Sequence, residues 1–77
     1  MAQQFLVNKN IKRLIVEMDK KPTAVADRSG IRRDIFSRII NCKRPVYADE
    51  VVQIADAMGV AISVLFDENV EEAEVSA

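Results

Sequence analysis

The chain reads as an all-α fold, five short helices around one core. Apolar residues recur at three- and four-residue spacing in successive segments, and both prolines and both glycines, Pro22, Pro45, Gly30 and Gly59, fall between those segments. A third observation is length, since 77 residues leave room for a single hydrophobic core.

The first helix is expected from Asn8 to Met18, with Asn8 as its cap and Ile11, Leu14, Ile15 and Met18 on one face. Residues 1–7 precede it as an N-terminal arm. Lys20-Lys21-Pro22 breaks it, and Pro22 suits the first turn of a new helix, where a missing N–H costs nothing. That second helix covers Thr23 to Arg28 with Val25 and Ala26 inward, and Ser29-Gly30 closes it. Ile31 pins the turn. A third helix from Arg32 to Ile40 carries Ile35, Phe36, Ile39 and Ile40 as a wide apolar stripe, which leaves Arg33, Asp34, Ser37 and Arg38 on the opposite side. Asn41 to Pro45 is a loop. Ala48, Val51, Val52, Ile54, Ala55 and Met58 then mark a fourth helix stopped by Gly59, and Val60 to Phe66 reads as a last one with Ile62, Leu65 and Phe66 inward. The domain is thus expected over 8–66, followed by a loose acidic tail over 67–77.

Composition, 49% apolar and 30% charged, is that of a chain that folds. The single cysteine, Cys42, has no internal disulfide partner, which fits a reducing cytoplasm. No stretch approaches the roughly 18 apolar residues of a membrane span, and the first residues lack a signal-peptide pattern, so a cytoplasmic location is expected.

Net charge is only −1, but its distribution is uneven. Residues 1–66 hold all eleven basic residues and seven acids, a net +4, while 67–77 holds five acids and no base. Between Arg28 and Arg44 six basic residues (Arg28, Arg32, Arg33, Arg38, Lys43, Arg44) stand against one acid, Asp34. That segment is the candidate electrostatic footprint for nucleic acid.

The second helix, four-residue turn and third helix combine Ala26, Gly30 and the apolar residues Val25, Ile31, Phe36 and Ile39. A small residue lets two helices approach at a steep angle, glycine permits the tight turn, and the apolar side chains bury the inner face of the second element of the pair. The outer face then protrudes as a ridge.

This pattern resembles the lambda-repressor-like, or Xre-type, helix-turn-helix family over Ile11 through Phe66. The matching strings are Ile11-Lys12-Arg13-Leu14, Val25-Ala26-Asp27 with Gly30-Ile31, Phe36-Ser37-Arg38-Ile39, Asn41-Cys42-Lys43-Arg44-Pro45, and Val51 through Val60. The resemblance implies a five-helix DNA-binding domain with the helix-turn-helix at helices two and three, acting in bacterial or phage transcription regulation, as a repressor. It makes helix three the recognition helix, with Arg33, Asp34, Ser37 and Arg38 at base-reading positions. A guanidinium can bond both O6 and N7 of guanine. Asp34 either accepts from a cytosine amino group or orients Arg33 or Arg38, the latter being preferred. Arg32, Lys43 and Arg44 are assigned to phosphates, together with the start of helix four near Tyr47, whose free amides offer a phosphate site. Tyr47 reads equally as a partly buried aromatic.

Several positions depart from the family. Pro22 replaces a glutamine that contacts backbone and recognition helix, and Lys20 replaces an apolar residue. Cys42 stands where glycine is usual, so either it adopts a strained left-handed conformation or Asn41 absorbs the turn. Ile15 and Ile40 replace a buried arginine–glutamate pair, an exchange of charge for packing that predicts contact between them.

An enzyme is not indicated: there is no histidine, one cysteine and no phosphate-cradling loop, and neither Ser29 nor Ser37 has an evident base. No metal or cofactor is assigned. The competing reading is a protein-interaction module or antitoxin-like component, with residues 67–77 engaging a protein partner. Homodimerisation on DNA is also expected, through Val60 and Val64, left near the surface once Ile62, Leu65 and Phe66 turn inward.

Overall fold

The computed structural model describes residues 5–68. Within them lie five helices, α1 (Leu6–Glu17), α2 (Pro22–Ser29), α3 (Arg33–Ile40), α4 (Ala48–Met58) and α5 (Ile62–Leu65). Residues 1–4 and 69–77, and with them most of the anticipated arm and acidic tail, lie outside the described residues. No helix of the described residues is long and apolar enough to cross a membrane.

One core joins all five elements: Ile11 and Ile15 from α1, Val25 and Ala26 from α2, Ile31 from the turn, Phe36 and Ile39 from α3, Val51, Ile54, Ala55 and Met58 from α4, and Leu65 from α5. Each large side chain so buried contributes about 1.5–3 kcal/mol relative to exposure. Ile15 is buried, and Ile40 is half-buried against this same core.

The second helix starts as its sequence requires, with Pro22 in the first turn, and ends at Gly30, whose φ of +76° is a conformation that side-chain-bearing residues rarely adopt. Gly59 closes α4 the same way at φ +71°. Between α3 and α4 the left-handed residue is Cys42, at φ +58°, while Asn41 stays at φ −98°. The cysteine, not the asparagine, therefore takes the strain of the turn, about 1–2 kcal/mol for a residue with a Cβ.

Three expectations need correction. Asn8 does not cap α1, which begins at Leu6 after Phe5; it lies inside the helix and is buried. Its amide Nδ2 donates to the carbonyls of Ile39 (2.7 Å) and Arg44 (2.8 Å). Asn10, also buried, donates to the carbonyls of Leu65 (2.7 Å) and Asp67 (3.1 Å). Two polar residues of α1 thus bond one carbonyl in the last turn of α3 and one in that of α5, together with one carbonyl in the segment that follows each helix. Second, Met18 and Val52 are exposed rather than inward, Met18 because α1 ends one residue before it. Third, in α5 only Leu65 is buried. Ile62 is 43% and Phe66 52% exposed, while Val60 packs against the core and Val64 is half-buried.

Candidate nucleic-acid interface

The outer face of α3 follows from its inner face. Phe36 and Ile39 are anchored in the core and Ile35 and Ile40 pack against it, so the remaining side chains, Arg33, Asp34, Ser37 and Arg38, all stand exposed. Their exposure is the one expected from the apolar stripe. The partners of these residues are a different matter.

Arg33, the first residue of α3, reaches back across the turn to α2. Its Nε donates to Asp27 Oδ1 at 3.1 Å and its Nη2 to Asp27 Oδ2 at 2.7 Å, a two-pronged pair between groups 64% and 56% exposed. The hydrogen bond from Arg33, reinforced by its charge, holds the Asp27 carboxyl below its ordinary pKa and raises that of the guanidinium. Asp34, preferred from the sequence as the residue orienting Arg33 or Arg38, instead pairs with Arg32, its Oδ1 lying 3.3 Å from Arg32 Nε. The orienting carboxylate comes from the preceding helix. The side chain of Arg38 has no ion-pair or hydrogen-bond partner among the described residues, nor do those of Arg28 and Lys43. Ser37 Oγ lies 3.4 Å from the amide of Asn41, which donates to the Ser37 carbonyl at 2.8 Å.

The segment leading into α4 is organised around Glu50. Its carboxylate accepts from Arg44 Nη1 at 3.2 and 3.3 Å, with the two side chains only 22% and 17% exposed. Glu50 Oε1 also accepts the backbone N–H of Tyr47 at 3.0 Å, and the Arg44 guanidinium lies 4.8 Å from the centre of the Tyr47 ring, in cation–π contact. The Glu50 N–H is taken by Asp49 Oδ1 at 3.1 Å. The start of α4 was expected to present free amides to a phosphate. Instead two of its amides are bonded to carboxylates, and Asp49 and Glu50 make its first turn acidic. Tyr47 is 56% exposed rather than partly buried, and its ring covers the Arg44 guanidinium.

Sequence reasoning missed Asp27, Glu50 and Asn8. Two of these left a trace. Asp27 occupies the last turn of α2 and Arg33 the first turn of α3, so the helix-turn-helix connection itself brings them together. An acid three residues after a helix cap can reach back to the N–H of the cap, as Glu50 does to Tyr47. For Asn8 nothing local signals a partner 31 residues away.

The model of the Cro/C1-type HTH DNA-binding domain matches residues 10–67. No curated protein and no solved structure matches the chain.

Proposed function

The chain belongs to the Cro/C1-type helix-turn-helix DNA-binding family, and on that premise we propose that it is a sequence-specific repressor of bacterial or phage type that inserts α3 into the major groove. The observation supporting this is the exposed, two-arginine face of a helix whose other side is fixed in the core. In helix-turn-helix proteins the N-terminal part of the recognition helix meets base edges, and Arg33 opens α3. Arg33 and Arg38 are the base readers, with Ser37 beside them. Lys43, exposed in the loop and without a carboxylate partner among the described residues, grips the phosphate backbone, as does Arg32 from the cap of α3. Arg44 keeps Glu50 as its partner.

We further propose that two copies bind neighbouring half-sites. The exposed apolar residues suited to a second copy are Ile62 on α5, Phe66 just after it and Val52 on α4, in place of the half-buried Val60 and Val64. Sedimentation of the protein on a two-site duplex would show two bound copies; a strict monomer at saturation rejects this contact.

The decisive experiment is a mobility-shift titration over a salt series, with full-length protein and with a form lacking residues 67–77. A repressor binds duplex with a steep negative salt slope in both forms, and replacing Arg33 and Arg38 together by alanine lowers specific affinity about 100-fold. Binding that is absent, or indifferent to the two arginines, refutes the assignment and favours a protein-interaction module.

A further inference from the structure

The geometry points to Asp27 as a positioning residue that presents the outer edge of the Arg33 guanidinium to one guanine of the bound DNA. This rests on the DNA-binding reading above and assigns a specificity role to a residue of α2 that lies outside the recognition helix.

A guanidinium carries five N–H groups, one on Nε and two on each Nη. Asp27 engages Nε and Nη2, one oxygen to each nitrogen. Both hydrogens of Nη1 and the second hydrogen of Nη2 remain, and the edge they form points away from Asp27. Two parallel N–H bonds on that edge match two adjacent acceptors, which among the base pairs of the major groove are O6 and N7 of guanine.

A phosphate also accepts such a fork, but two features of the pair favour the base. The carboxylate cancels the charge of the arginine, which weakens its attraction to the backbone while leaving its directional donors intact. The same carboxylate repels a phosphate that approaches closely, and does not repel the neutral acceptors of guanine. Holding the guanidinium before DNA arrives also spares part of the rotamer entropy that a free arginine loses on binding. Arg38 lacks any such brace among the described residues, so Arg33 carries the sharper base preference of the two.

The test is selection from a randomised duplex pool, followed by titration of the selected site and its single-base variants, using the full chain and the variants D27A, R33A and D27A/R33A. Both groups of the pair are more than half exposed, and circular dichroism confirms that each variant is folded. The wild type is expected to prefer guanine at one position about tenfold or more, a preference reduced to about twofold in both single variants, with the double variant no worse than R33A. The salt slope of D27A stays within about one unit of wild type. A D27A variant that keeps the guanine preference while binding every sequence more tightly overturns the proposal, since Asp27 would then act only as a neutralising charge. If the wild type selects no sequence and shows no salt-dependent binding, the DNA-binding reading itself fails, and this inference with it.

Discussion

Two arginine–carboxylate pairs bracket the recognition segment, alike in chemistry and unlike in surroundings. Arg33 and Asp27 bridge α2 and α3 in the open, 64% and 56% exposed. Arg44 and Glu50 are recessed to 22% and 17%, roofed by Tyr47 and tied to the backbone of the α4 cap, while Asn8 holds the Arg44 carbonyl from below. An exposed pair adds little to stability, because water screens it. A recessed pair that also satisfies a backbone amide is part of the fold. The sign and position of a charge do not assign its role; what encloses it does.

The recessed region depends most on Asn8. Replacing it by alanine removes the donor of the Arg44 carbonyl and one of the two donors of the Ile39 carbonyl, which keeps the Cys42 N–H, and should cost about 2 kcal/mol in urea unfolding. A loss under about 0.5 kcal/mol would mean that the recessed region does not depend on it. Next, Glu50→Ala should lower stability by about 1–2 kcal/mol, by stripping Arg44 and the Tyr47 amide of their acceptor, without raising affinity for DNA. A marked gain in duplex binding would show Arg44 to be a latent phosphate contact.

Arg33→Ala should behave in the opposite way. It is expected to leave the urea midpoint nearly unchanged and to weaken specific binding about tenfold. Lys43→Ala should act more gently still, weakening all duplexes alike and reducing the magnitude of the salt slope by about 0.9. The smallest expected effect is that of pH. Because the Asp27 carboxyl is held below its ordinary pKa by Arg33, its contribution is fully present above the unfolded value and is lost only as pH falls through the lower folded one. Base preference should therefore be constant from about pH 8 to about pH 5; a titration within that range would place another group in control.

Much of the architecture was legible because local chemistry decided it. Pro22 and Gly30 fix the limits of α2, and the stripe of Ile35, Phe36, Ile39 and Ile40 orients α3 with no knowledge of the other helices. By complement, the exposed face with Arg33, Asp34, Ser37 and Arg38 could be read directly. The partners could not. Asp34 lies next to Arg33 in sequence, yet its helix position turns it toward Arg32, and Asp27 reaches Arg33 only through the turn. The start of α1 was misplaced because an asparagine suits both a cap and a buried amide, and tertiary bonds chose between them. The inward and outward sides of α5 were misread for another reason: four residues hold too little periodicity to define a face, so packing against α1 and α4 decided it.

The bonds of Asn10 to the carbonyls of Leu65 and Asp67 bear on how the molecule breathes. A single turn of helix at a chain's periphery would ordinarily fray many times before the rest of the protein opened even once. Here detaching it breaks both Asn10 bonds and draws the buried Leu65 out of the core, so its opening costs more than that of a frayed end. Amide hydrogen exchange near Leu65 should thus be slower than that of a frayed end.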